Sequence, residues 1–280
     1  MLHDAHNHLQ DDWLAPHLDR IARAAADTGI ADMVVNGTHP DDWPRVEALA
    51  TRFSFVRPAY GVHPWDVGRL SNDTWLGQLE SRLATHPRAS IGEIGLDCWI
   101  LDSARPDDPR LAGVRRASLD EQTAVFLPQL ALAAKQNLPA TIHCLQAWGA
   151  LDELLRTHAV PKRGFLLHAY GGPAELVPVF ASRGAYFSFN GYFLDPRKTK
   201  QQDVFKLIPP DRLLVETDAP AMPLPQNWRT HKLPPAPDGS PVNHPGNLDA
   251  AYAALASLRG VSLHELTAQI TANFTRLFGP

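Results

Sequence analysis

Two cysteines among 280 residues, Cys98 and Cys144, are too few for a disulfide framework and point to a reducing compartment. No apolar run approaches the ~20 residues that a membrane helix needs, which excludes a spanning helix. The N-terminal Met-Leu-His-Asp-Ala-His has no basic stretch leading into an apolar one, so no signal peptide is expected and the cytoplasm is the default location. Lysine and arginine form no block longer than a pair such as Arg115-Arg116, and the net charge is −4. These features exclude a sequence-independent duplex binder that neutralises many phosphates at once. An enzyme that touches one or two phosphates is still compatible with them.

Proline and histidine are abundant instead, at 25 and 13 residues. Short β-branched or apolar runs alternate with longer helical stretches, the pattern of βαβ units and a parallel sheet. Strands are expected near 2–8, 32–36, 55–63, 89–96, 140–143, 165–168, 185–189 and 212–217. Helices are expected near 14–28, 42–51, 74–85, 119–136, 147–156, 173–182, 198–207, 248–258 and 263–278. In the 119–136 segment Ala124, Leu127, Ala131 and Ala134 recur at three- and four-residue steps, as an amphipathic helix requires. Eight alternations without a linker predict one domain over 1–280, an α/β protein of the (β/α)8 TIM-barrel type. Two stretches break the rhythm: 97–118 is polar, and 219–247 is rich in proline. Both are expected as long loops on the C-terminal face, where such loops serve function.

The polar residues then fall into place on the strands. His6 and His8 end the first strand and, two residues apart, share the face that points into the barrel mouth. Gly61-Val62-His63-Pro64-Trp65 ends the third, and Gly92-Glu93-Ile94-Gly95-Leu96-Asp97 runs along the fourth. Ile142-His143-Cys144, Leu167-His168-Ala169 and Glu216-Thr217-Asp218-Ala219-Pro220 end the fifth, sixth and eighth. Five histidines, Glu93 and Asp218 thus converge where apolar strands end. Burying such groups without partners is costly, so packing alone does not account for them. Imidazole plus carboxylate, with no usable thiolate pair, suits Zn, Mn, Fe, Ni or Co better than an all-oxygen Mg site. Four of these histidines, His6, His8, His143 and His168, with the two carboxylates exceed the needs of one tetrahedral ion with an open position. Two divalent metal ions (Zn, Mn or Mg) sharing a bridging carboxylate are therefore the expected cofactors. Such a pair serves phosphoryl displacement and also polarises a carbonyl.

The motifs Asp4-Ala5-His6-Asn7-His8, Gly61-Val62-His63-Pro64, Gly92-Glu93-Ile94-Gly95-Leu96-Asp97, Ile142-His143, His168-Ala169-Tyr170-Gly171-Gly172, Ser188-Phe189-Asn190-Gly191 and Glu216-Thr217-Asp218-Ala219-Pro220 resemble, in order, those of the TatD family of metal-dependent deoxyribonucleases. The resemblance spans residue 1 to about 275. It implies that His6, His8 and Asp218 hold one metal, that His143 and His168 hold the second, and that Glu93 bridges them. It also implies DNA cleavage, often from the 3′ end, by a water activated by the two ions, with Asp218 as ligand and general base and Glu93 beside it among the catalytic residues. The chain departs from the family where Cys144-Leu145-Gln146 replaces a Ser-Arg-Asp or Cys-Arg-Asp, and where Tyr170-Gly171-Gly172 replaces a Phe-Ser-Gly. The 97–118 stretch is also longer than the family pattern.

His63 and Trp65 are expected on the substrate side of the metals, and Asp97 and Glu216 as groups that orient ligands by hydrogen bonds. Ser188 is expected to bond substrate or backbone, and Cys144 to be a small buried thiol. His17, His39, His86, His158, His231, His244 and His264 are expected in solvent, and His3 has no assigned role. The leading substrate is DNA. The alternatives are a small amide, lactone or ester on the same barrel, or a non-catalytic metal-binding protein. A membrane is not among the expected partners.

Overall fold

The computed structural model describes residues 1–279 apart from Asp73, Asp238 and the side chain of Pro109. Asp238, within the proline-rich stretch, and Pro280, the end of the expected domain, lie outside the described residues. Eight parallel strands pair in chain order: β1 (Leu2–Asn7), β2 (Ile30–Asn36), β3 (Val56–Tyr60), β4 (Ser90–Asp97), β5 (Ala140–Leu145), β6 (Phe165–Leu167), β7 (Ala185–Asn190) and β8 (Leu213–Glu216). The ring closes at its mouth. There the Asp218 N–H donates to the His6 carbonyl at 2.9 Å and the His8 N–H to the Ala219 carbonyl at 2.8 Å. The expected (β/α)8 barrel is the fold observed.

The outer layer comprises α1 (Leu18–Thr28), α2 (Trp43–Arg52), α3 (Trp75–Thr85), α4 (Trp99–Asp102), α5 (Leu119–Gln136), α6 (Trp148–Thr157), α7 (Leu176–Ser182), α8 (Thr199–Leu207), α9 (Leu248–Arg259) and α10 (Leu263–Phe278). Helices cover the sheet outside and side chains fill it inside, so β4 and β7 are buried at every position and read as nearly continuous apolar runs. α5 begins with a capping box in which Ser118 and Glu121 each satisfy the other's backbone N–H, and it ends at Asn137 in the left-handed conformation. Two expected helices start late, α1 at Leu18 and α7 at Leu176. Pro16 sits in a 3-10 turn ahead of the first and Pro173 precedes the second; a proline has no N–H to continue a helix.

β3 differs more usefully from expectation. It stops at Tyr60, so His63 stands on a loop. Beyond the strand, Val62 finds its partner in the buried Gln129 of α5: its N–H donates to Oε1 at 2.8 Å, and Nε2 donates back to its carbonyl at 3.3 Å. Two helical turns earlier, buried Gln122 does the same for Asp97, at 2.7 and 3.1 Å. One helix therefore pins two backbone segments of the site. Gly95 is needed between them, because a Cβ there would collide with the His143 carbonyl across the β4–β5 pairing.

At the foot of the barrel Asp32 pairs with His3 at 3.0 Å and Arg57 at 2.6 Å, and Arg57 donates to the Phe278 carbonyl at 2.7 Å. His3, given no role from the sequence, thus ties the first strand to its neighbour and stacks on Phe274 of α10 at 4.5 Å.

Candidate metal centre

Seven of the eight expected site residues meet at the mouth. The Nε2 atoms of His6 and His8 face each other at 3.2 Å, and both approach Glu93 Oε2, at 3.4 and 3.2 Å. On the other side, His143 Nδ1 and His168 Nε2 also face each other at 3.2 Å and approach Glu93 Oε1, at 3.0 and 2.9 Å. Glu93 therefore lies between two imidazole pairs with one oxygen turned to each. Asp218 Oδ1 joins the first pair at 3.4 and 3.5 Å, and His63 Nε2 joins the second through Glu93 Oε1 at 3.3 Å. His63 is thus closer to the cluster than a purely substrate-side position implies. Trp65 stands one step back, its Nε1–H donating to Asp97 Oδ2 at 2.6 Å.

These separations fit a divalent cation. Donors about 2.1 Å from a tetrahedral ion lie about 3.4 Å from one another. Nitrogen lone pairs aimed together at 3.2 Å repel unless a proton or a cation sits between them. The ring tautomers agree. His8 Nδ1 donates to the Asn36 carbonyl at 2.8 Å, which leaves Nε2 as the free lone pair. His143 Nε2 lies 3.1 Å from Asp97 Oδ2, and His168 Nδ1 lies 3.5 Å from Glu216 Oε1. Asp97 therefore orients His143 by a hydrogen bond, as expected, whereas Glu216 faces His168 Nδ1 as a charge partner without a hydrogen bond to it.

Local backbone aims the donors. Gln146, Ala169 and Asp218, at the exits of β5, β6 and β8, have φ of 56°, 41° and 52°. These left-handed turns rotate the chain away from the strand direction, and Asp tolerates the conformation through its short polar side chain. Asp4 was not singled out from the sequence. It is fully buried and accepts from Thr217 Oγ1 at 2.6 Å and Thr217 N–H at 2.9 Å, joining β1 to the Asp218 turn. Burial pushes its carboxyl up to about 7 against those hydrogen bonds.

Ser188 bonds backbone, as expected: its hydroxyl accepts from the Ala169 N–H at 3.2 Å and donates to Glu216. Two sequence expectations are corrected. His39 and His244 are buried rather than solvated, because the mouth loops pack on one another. His39 Nδ1 accepts from the Asp41 N–H at 3.2 Å and His244 Nδ1 from the Gly246 N–H at 2.8 Å, and burial drives His244 down to about 4. Cys144 is a buried thiol, as expected.

Charge and protonation follow from this packing. Burial alone would lower His143, yet Asp97 and Glu93 lift it to about 9. Burial likewise opposes, and nearby carboxylates outweigh it, at His8 and His168, both raised well above the usual histidine value. Glu93, which burial alone would raise, is held well below the carboxylate range by His168, His63, His6 and His143. A histidine with a raised folded pKa contributes stability that is complete below its unfolded value of ~6.5 and is lost as pH rises through the folded pKa. The metal-free protein should therefore lose melting temperature between about pH 6.5 and pH 9, whereas a cation replacing those protons should flatten the profile. Superimposable pH–melting curves with and without chelator would contradict this. Asp97→Asn should weaken metal affinity about 10–100-fold, read by competition with a chelating dye. Unchanged affinity would show that Asp97 does not support His143.

A barrel with imidazole and carboxylate donors gathered at its C-terminal mouth defines a metal-dependent hydrolase. The model of the TatD related DNase family matches residues 3–279, and the chain belongs to that family. It is 30% identical over 273 residues to the 3'-5' ssDNA/RNA exonuclease TatD of Escherichia coli (strain K12), covering 97% of this chain and 96% of that protein. It is 28% identical over 281 residues to the uncharacterized metal-dependent hydrolase YabD of Bacillus subtilis (strain 168), covering 99% of both. The crystal structure of the TatD homolog YjjV from Escherichia coli K12 superposes with a TM-score of 0.83 at 28% identity, covering 100% of this chain and 98% of that one. Among the described residues no helix is long and apolar enough to cross a membrane.

Proposed function

We propose that this chain, acting as a single domain, hydrolyses phosphodiester bonds of single-stranded nucleic acid, DNA foremost, with two divalent cations of the Zn, Mn or Mg type. The observation that carries the reading is Glu93 between two facing imidazole pairs, one carboxylate oxygen to each. His6, His8 and Asp218 would hold one cation and His143 and His168 the other, with Glu93 shared. When bound, such cations polarise a phosphodiester and lower the pKa of water. The Asp218 carboxylate, beside the first pair, accepts the proton of the attacking water. Glu93 and the buried carboxylates behind the imidazoles keep the ring nitrogens oriented throughout. His63, against Glu93, and Trp65, behind it on Asp97, border the cluster beside His143, where they would meet substrate. Ser188, the hydroxyl beside the site, is fully buried between the Glu216 carboxylate and the Ala169 N–H, so it is not placed to attack a substrate, and the reaction is a single displacement without a covalent enzyme adduct. The unpaired Cys98 and Cys144 support a reducing, cytoplasmic setting.

A second reading, hydrolysis of a small amide, lactone or ester, is favoured by Leu145. This apolar residue at the end of β5 is 38% exposed where the family resemblance calls for arginine. Chelator-treated protein restored with Mn or Mg and offered single-stranded DNA beside an ester and lactone panel separates the readings. Release of nucleotides is the expected result. Turnover of the panel alone would replace the nuclease reading, and turnover of neither would contradict both.

A further inference from the structure

The 97–118 stretch is a built platform rather than a free loop. It contains α4 and a 3-10 turn at Pro109–Leu111, and Ile100, Ala104 and Leu111 form an apolar cluster of their own, separate from the barrel core. The platform is fastened to the site at two points. Ile100 N–H donates to Asp97 Oδ1 at 3.0 Å, and Cys98 N–H to the Leu145 carbonyl at 2.9 Å.

Three flat groups stand in a row on it. The Trp65 indole donates to the Asp97 oxygen that also holds His143, and stacks on Trp99 at 5.8 Å with an interplanar angle of 25°. The Arg110 guanidinium lies over Trp99, 4.6 Å from the ring centroid. The row thus begins at a metal-site histidine and ends in a cation. Arg110 is fixed a second time by Asp108, to which Nε and Nη2 donate at 2.9 and 2.7 Å. Its basicity is raised first by that hydrogen bonding and then, against burial, by the charges of Asp108, Asp97 and Tyr192.

A guanidinium has five N–H donors, and Asp108 takes two of them. The Nη1 end makes no hydrogen bond among the described residues, and the Arg110 side chain is 60% exposed. Most surface arginines lose rotamer freedom when they capture an anion; this one has already lost it. A planar fork with free donors, backed by an aromatic ring, suits a phosphate whose nucleobase stacks nearby. Leu145 offers no cation at the end of β5, and Arg110 supplies one from the neighbouring loop.

We propose that Arg110, held by Trp99 and Asp108, is the phosphate anchor of the substrate site and grips a backbone phosphate of the bound strand away from the scissile one. This rests on the nuclease reading above. The test is fluorescence anisotropy with a labelled, phosphorothioate-protected oligothymidine on the metal-loaded protein, across a salt series, with melting temperature and metal content as controls. Arg110→Gln should weaken binding about tenfold and lower the slope of log Kd against log salt by about 0.7, one phosphate contact on a single strand. Arg110→Lys should keep the slope and recover only part of the affinity, since a point charge lacks the fork. In cleavage assays the loss should fall mainly on KM. Wild-type affinity and slope in Arg110→Gln overturn the anchor while leaving the nuclease reading intact. Should that variant fail to fold, wild-type affinity in Arg110→Lys overturns the fork. A wild-type protein that neither binds this oligonucleotide nor cleaves its unprotected counterpart overturns both readings.

Discussion

Replacing Glu93 with alanine should empty both halves of the metal centre and reduce turnover by at least ~10³-fold, about 4 kcal/mol of transition-state stabilisation. The size follows from position. Each Glu93 oxygen lies within 2.9–3.4 Å of both ring nitrogens of one pair, Oε1 also 3.3 Å from His63, and no other carboxylate among the described residues comes this close to both pairs. Among the described residues Asp218 makes its close approaches, at 3.4 and 3.5 Å, to the first pair alone, with His168 of the second pair farther off but within 4.8 Å. Metal content after dialysis should therefore fall further in Glu93→Ala than in Asp218→Ala, and Glu93→Gln should resemble the alanine variant although it keeps the side-chain volume. Equal metal content in Glu93→Ala and Asp218→Ala by elemental analysis would contradict the bridging role.

Asp218→Asn should behave differently. Asparagine accepts the left-handed φ of 52° found here, so the turn that closes β8 onto β1 is kept. The amide still offers an oxygen to the first imidazole pair but cannot take a proton. Turnover should drop by roughly 10²–10⁴-fold, the usual weight of a positioned general base, while much of the metal is retained. An Asp218→Asn variant with undiminished rate and full metal content would assign the proton transfer elsewhere.

How much of this is legible in the sequence depends on the range of the contact. The strand pattern and the histidines at strand ends are local signals, and in a parallel barrel all strand C-termini share one face, so His6, His8, Glu93, His143, His168 and Asp218 could be brought together on topology alone. The 119–136 helix is read to the residue from its apolar spacing, and the structure ends it with a capping box and a left-handed Asn137, both local signals too. The support around the site is not local. Gln122 and Gln129 look like solvent residues on an amphipathic helix, yet they bond Asp97 and Val62, 25 and 67 positions away. Asp4 clasps Thr217 across 213 positions. The burial of His39 and His244 and the Trp65–Trp99–Arg110 row depend on how long loops pack, which no periodicity encodes. His63 was placed on a strand that ends early, because a glutamine side chain substitutes for the next ladder partner.

Anomalous diffraction from crystals soaked in Mn or Zn tests the central claim most directly. Two peaks about 3.5–4 Å apart are predicted, one against His6, His8 and Asp218, the other against His143 and His168, with Glu93 between them. A single peak, or two peaks that do not share Glu93, would contradict it.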